Sequence, residues 1–161
     1  MTVADAFHDP QSTPQSGDGE PRISYVVARL ERAIRRSIND RVSVYDLTVL
    51  QYTTLSVLGR RGELSNAQLA RRAYMSPQAM SEVIEALEQK RLIKRNQHPN
   101  HRRVYPAALT AKGKKVLAAC DRLVDEMESE MLAGISATEQ KRLRGGLISA
   151  VRNLHAGLPE R

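Results

Sequence analysis

Residues 65–110 read SNAQLARRAYMSPQAMSEVIEALEQKRLIKRNQHPNHRRVYPAALT, and this stretch decides the fold. Ser65 is a strong helix N-cap, and Gln68 three residues later completes a capping box, in which side chain and backbone at a helix start satisfy one another. Leu64 before the cap and Leu69 inside the helix are placed as the hydrophobic staple that accompanies such a box. Ala73, Tyr74 and Met75 bridge to a second start at Ser76-Pro77. There serine caps, and proline lacks an N–H that would be unpaired anyway. In the helix that follows, Met80, Val83, Ile84 and Leu87 fall at i, i+3, i+4 and i+7 and form one apolar stripe. Gln78, Ser81, Glu82, Glu85 and Gln89 lie away from it. Two short helices joined by a tight turn make a helix-turn-helix, the unit whose second helix enters the DNA major groove.

Past Leu92 the pattern becomes short and extended. Leu92 to Arg95 and Val104 to Leu109 flank the turn formers Asn96-Gln97-His98-Pro99-Asn100-His101, which predicts a β-hairpin with Arg95, Arg102 and Arg103 near its tip. A basic hairpin directly after a helix-turn-helix reads as the wing of a winged helix.

The charge follows the same division. The chain has 161 residues and a net charge of +7. From Ser65 to Lys115 there are 11 Lys or Arg against 3 Asp or Glu, a balance of +8, so the remainder of the chain sums to −1. Positive charge gathered on one segment is the footprint of a nucleic-acid binder. A membrane surface is the competing partner, but the sequence has no lipidation motif, signal peptide or long apolar run. The single cysteine excludes an intrachain disulfide and fits a reducing cytoplasm. No cysteine and histidine cluster has metal-site spacing, and there is no phosphate-binding glycine loop or nucleophile motif, so neither metal, cofactor nor enzymatic chemistry is expected.

Working outward, residues 1–21 carry Pro, Gln, Ser, Gly and four acidic residues but no Lys or Arg, the composition of a disordered tail. Residues 22–161 read as one domain. Arg22 to Asn39 is a helix with Ile23, Val26, Val27, Leu30, Ile34 and Ile38 on one stripe. Asp40 to Asp46 is a connector. Thr48 caps the next helix with Gln51 as its reciprocal partner. Gly59 to Gly62 ends that helix, and Glu63-Leu64 is a short strand. Beyond the hairpin, Thr110 opens a long helix to about Leu132, with Val116, Leu117, Cys120, Leu123, Val124, Met127 and Met131 at helical spacing. Ser136 and Glu139 box the last helix, whose apolar positions are Leu143, Leu147, Val151, Leu154 and Leu158. Gly145-Gly146 sits within it, either as a close helix–helix approach or as a tolerated kink. With six aromatic residues and no tryptophan, aliphatic helix packing must form the core. The terminal helices offer more apolar surface than a head of this size can use, which points to a second subunit.

The wing then carries a specific likeness. His101-x-Arg103, five residues, Leu109-Thr110 and Gly113 resemble the wing signature of the MarR family of transcriptional regulators, Asp-x-Arg, five residues, Leu-Thr. Arg103, Leu109 and Thr110 match, and His101 stands in place of the aspartate. Leu47-Thr48-x-x-Gln51, Leu55-x-x-Leu58, Leu69-Ala70 and Leu87-Glu88 look like the family's earlier helices. The likeness spans about Arg22 to Leu158. It implies a mainly α fold with a small β-wing, in which 48–110 is a winged helix-turn-helix reading head and 22–40 and 111–158 are dimerisation helices. It further implies a homodimer bound to double-stranded DNA at a pseudo-palindromic operator, most often as a repressor, and release by a small phenolic or anionic ligand.

Residues can be assigned on that basis. Ser76, Pro77, Gln78 and Ser81 face the groove. Gln78 suits adenine, which glutamine binds through two hydrogen bonds, and Ser81 suits a phosphate. Arg71, Arg72, Lys94, Arg95 and Arg102 are phosphate contacts, and His101 stands beside them. Arg103 is the minor-groove residue by the likeness, and narrow A·T grooves attract arginine. Glu82 and Glu85 either accept from cytosine or face water. Arg29, Arg36, Tyr45 and Tyr52 are the candidates for a ligand site. Cys120, on an apolar stripe, reads as a packed thiol rather than an oxidant sensor. The alternative function is a winged-helix module that binds protein rather than specific DNA.

Overall fold

The computed structural model describes residues 20–73, 75–96 and 105–155. The wing tip, with His101, Arg102, Arg103 and Val104, lies outside the described residues, as do the N-terminal tail, Tyr74 and Leu158. In chain order the elements are α1 (Ile23–Val42), a 3-10 turn (Ser43–Tyr45), α2 (Val49–Arg61), α3 (Asn66–Arg72), α4 (Pro77–Gln89), β1 (Ile93–Arg95), β2 (Ala107–Leu109), α5 (Ala111–Met131) and α6 (Ala137–Asn153). The mainly α class with a small β-wing holds. The chain forms two compact units, one ending at Ser37 and one beginning at Ile38.

In the first unit the turns of α1 expose Ile23, Val26, Val27 and Leu30. The opposite side is held by local pairs. Arg35 Nε donates to Glu31 Oε1 at 2.8 Å, and the Arg29 guanidinium lies 5.8 Å from the Tyr25 ring centroid.

The second unit is built on its helix starts. Thr48 with Gln51, Ser65 with Gln68 and Ser136 with Glu139 form complete capping boxes. Each satisfies two backbone donors that a bare helix start would leave open. Bonds to Ser136 hold the Glu139 carboxyl below its usual range. Ser76 caps α4 through the Ala79 amide, and Pro77 follows at the first helical position. Gly62 ends α2 at φ 75°, a conformation that a Cβ disfavours. The helix α1 runs on to Val42, past the expected end at Asn39. The chain turns instead at Asp46, in the left-handed region at φ 56°.

The core gathers Leu55, Leu58, Leu69, Met80, Ile84, Leu87 and Ile93. Three of the four expected stripe residues of α4, Met80, Ile84 and Leu87, are buried, and Val83 is half-buried. Thr54 is buried among them because its hydroxyl donates back to the Leu50 carbonyl at 2.8 Å. The helix α5 also enters this core, with Leu117 and Cys120 on one side. Truncating one of the buried leucines should cost about 2–5 kcal/mol.

The hairpin is shorter than its sequence pattern. Ile93 pairs with Leu109, Lys94 with Ala108 and Arg95 with Ala107. Leu64 adds an antiparallel bridge to Ala107, as expected of the Glu63-Leu64 segment. The strand β2 starts at Ala107; Pro106 before it has no N–H to give to a ladder, and it joins only through its carbonyl, which accepts from the Asn96 amide at 3.0 Å.

The junction of β2 and α5 is tight. The Leu92 carbonyl accepts from the Thr110 amide at 3.0 Å. The Thr110 hydroxyl points to the Arg91 and Leu92 carbonyls at 2.8 and 3.1 Å, and it accepts from the Gly113 amide at 2.9 Å. A Cβ on Gly113 would stand 1.9 Å from the Leu92 oxygen. The Leu-Thr-x-x-Gly pattern is thus a seat for one backbone carbonyl.

Tyr52 joins α2 to α5. It is buried, and its hydroxyl donates to Asp121 Oδ1 at 2.9 Å. Burial first, and then the hydrogen bond and charge of Asp121, push the phenol above its ordinary range. The folded chain therefore keeps this proton above pH 10, where the unfolded chain releases it, and stability falls as pH rises past that point. Tyr52→Phe should cost about 1 kcal/mol at neutral pH and flatten the alkaline limb. Denaturant unfolding at pH 8 and about pH 10.5 tests this. Equal alkaline losses in both proteins would remove Tyr52 as the cause.

In α6 no residue is buried; Leu143 and Leu147 are 44% and 37% exposed. Among the described residues, nothing meets a Cβ built on Gly145 or Gly146 within 4 Å.

Candidate nucleic-acid interface

The interface is built on α3, α4 and the first wing strand. The turn between the helices is closed by the Met75 amide donating to the Ala70 carbonyl at 2.9 Å. With its apolar stripe in the core, α4 leaves Ser76, Pro77 and Gln78 exposed at its N-terminal end, along with Glu82 and Glu85. Pro77 has no N–H and the Ala79 amide is taken by the Ser76 hydroxyl, so the start of α4 offers at most the Gln78 amide to a phosphate oxygen. There is no Lys or Arg within α4 itself. Its cationic neighbours are Arg71, exposed, and Arg72, half-buried, at the end of α3, and Lys94 and Arg95, both exposed, on β1.

Ser81 is engaged inside the protein. Its hydroxyl donates to the Pro77 carbonyl at 3.0 Å and accepts from Asn66 Nδ2 at 2.6 Å. The same amide nitrogen also reaches the Pro77 carbonyl at 3.1 Å. The sequence reading missed Asn66, which sits one residue past a strong N-cap and carries no pattern of its own.

The wing root is held from two sides. Arg95 Nε and Nη2 both donate to Glu88 Oε2, at 2.9 and 2.6 Å. Asn96 Nδ2 donates to Glu63 Oε1 at 2.8 Å. At the far end of α4, Lys90 Nζ pairs with Asp46 Oδ2 at 3.0 Å and bonds the Asp46 carbonyl. It also reaches Gln51 Oε1 at 3.3 Å, and Lys112 Nζ donates to the Lys90 carbonyl at 3.0 Å. A lysine on the last carbonyls of a helix suits its dipole.

Of the ligand-site candidates, Arg29 and Arg36 belong to the unit ending at Ser37. In the other unit, Tyr45 is exposed and the Tyr52 hydroxyl is committed to Asp121. A groove of about 530 Å³ lies elsewhere, lined by Leu58, Gly59, Lys94, Leu109, Lys114 and Leu117 among others. Its lining comes from four separate segments, so no sequence pattern announces it. Cys120 is fully buried, and burial followed by the charge of Asp121 pushes its thiol up, the reverse of an activated thiolate. Among the described residues no group of three or more His, Cys, Asp or Glu is placed to hold a metal ion, and no helix is long and apolar enough to cross a membrane.

A capped helix pair with an exposed second-helix start, followed by a basic hairpin, defines a winged helix-turn-helix protein. Residues 45–104 match the model of the MarR family. An HTH-type transcriptional repressor of Mycobacterium tuberculosis is 29% identical over 122 residues, covering 76% of this chain and 88% of the relative. Wild-type MarR of E. coli superposes with a TM-score of 0.72 at 20% identity, over 82% of this chain and 98% of that one. The MepR–DNA complex of S. aureus gives 0.73 at 22%, over 83% and 96%. A probable transcriptional regulator of Pseudomonas aeruginosa gives 0.71 at 26%, over 80% and 96%. The chain resembles the MarR family of winged-helix transcriptional regulators, in sequence over residues 45–104 and in fold over most of its length.

Proposed function

We propose that this chain works as a homodimeric repressor, binding a pseudo-palindromic DNA operator with α4 of each copy in successive major grooves. One observation carries the reading. The apolar stripe of α4 closes the core while Ser76, Pro77 and Gln78 stay exposed, and Arg71 at the end of α3 and Lys94 and Arg95 on β1 are exposed as well. The MepR structure in complex with DNA is a relative of the same fold. The exposed apolar residues of α1 and α6 support a second copy as the partner, since such surface on a monomer commonly marks an interface. Arg102, Arg103 and His101 are assigned to the DNA side of the wing by the family pattern. Release by a small phenolic or anionic ligand belongs to the same proposal, as does action in the cytoplasm.

Selection from a random duplex pool tests it. The enriched sequence should be an inverted repeat with half-sites about 10 base pairs apart, centre to centre. Enrichment without two-fold symmetry, or none at all, overturns the proposal. Roles within the site separate by mutation. Gln78→Ala should relax preference at one base pair per half-site by about 1–3 kcal/mol. Arg95→Ala should weaken all sequences alike and lower the salt slope by less than about 1 per protomer, because the guanidinium is already paired with Glu88. If both variants give one profile across operator variants, the roles are wrongly assigned.

A further inference from the structure

We infer that Asn66 is the positioning residue for the base-reading end of α4 and that Ser81 serves as its relay rather than as a phosphate contact, an inference resting on the DNA-binding reading of α4. A serine hydroxyl has one hydrogen to give. In Ser81 that hydrogen lies on the Pro77 carbonyl at 3.0 Å, and one lone pair is occupied by Asn66 at 2.6 Å. A phosphate oxygen can only accept, so binding one would require breaking the bond to Pro77.

The orientation of Asn66 is fixed by chemistry. The Pro77 carbonyl, 3.1 Å from Asn66 Nδ2, can only accept, so the amide nitrogen must face it. The Asn66 oxygen points the other way, buried and without a partner among the described residues. An asparagine that leaves one polar atom unsatisfied is a poor choice for stability alone. What it provides is a bridge from the first residue of α3 to two groups of the first turns of α4, Pro77 and Ser81. Gln78 lies between them in sequence. Its reach to a base edge depends on where that turn sits.

A double-mutant cycle in the full chain tests the relay, with the duplex enriched from the random pool and a scrambled duplex of equal length as probes. The variants are Asn66→Ala, Ser81→Ala, the pair together, and Ser81→Thr. Each alanine variant should lower the preference for the enriched over the scrambled duplex by about five- to tenfold, part of one base contact. The pair should lose no more than either alone, because both break one link. Ser81→Thr keeps the hydroxyl and should restore the preference. A variant that merely folds less well loses binding on both duplexes together and leaves the ratio unmoved. Additive losses, or equal losses on the two duplexes as a phosphate contact gives, overturn the inference while the DNA reading stands. A parent chain that binds neither duplex overturns both.

Discussion

Raising monovalent salt from about 50 to 200 mM is expected to weaken duplex binding by about 10³- to 10⁵-fold. The expectation follows from where the charge sits. Residues 65–115 hold a balance of +8 while the rest of the chain sums to −1. None of those cations lies within α4. Each cation that neutralises a phosphate releases condensed counterions, and the entropy gained by that release shrinks as bulk salt rises. A dimer committing three to five cations per copy makes about 6–10 contacts, and log K should then fall with log salt at a slope of about −5 to −9. The Arg95 guanidinium is already paired with Glu88, so its contribution should lie at the small end. Titrations of one duplex at four salt concentrations give the slope. A flat response would favour the protein-interaction reading of the winged helix.

The second large effect is on folding. Gly113→Ala should destabilise the chain by about 3–5 kcal/mol, a large share of a typical domain's stability. Two effects compete here. Alanine is favoured over glycine within a helix by about 1 kcal/mol. Against that, the added carbon would stand 1.9 Å from the Leu92 oxygen and 2.9 Å from its carbonyl carbon. These are backbone atoms, and the carbonyl is held in place by the Thr110 amide and hydroxyl. The helix must lift or the hydrogen bonds must break, so the steric effect wins. Gly145→Ala and Gly146→Ala meet nothing within 4 Å among the described residues and provide the contrast. In a monomer they should stabilise by up to about 1 kcal/mol each. If a second copy packs against them, they should weaken the dimer instead. Denaturant unfolding at two protein concentrations separates the cases. A stabilised Gly113→Ala would show that the contact with Leu92 does not govern folding.

Local chemistry was legible in the sequence; long-range partners were not. The capping residues Thr48, Ser65, Ser76, Thr110 and Ser136 were readable because a cap and its partner lie within three residues. The stripe of α4 was readable because burial repeats with the helix. Gly113 was readable as part of a pattern, but the reason for it lies 21 residues away at Leu92. Tyr52 reads in sequence as a ligand-site candidate, and nothing nearby reveals its bond to Asp121, 69 positions on. Ser81 looked like a free hydroxyl for the same reason. Its partner Asn66 is 15 residues earlier, on another helix.

The recognition helix is supported like a beam at both ends. Asn66 grips its first turn, and Lys90 fastens its far end to Asp46 and Gln51, ahead of and inside α2. A beam held at two points cannot pivot about either. On the proposed DNA-binding reading, the helix would meet DNA at one fixed pitch, with α2, α3 and α4 moving together. In the proposed dimer, tolerance for operators of differing half-site spacing would then have to come from outside this block.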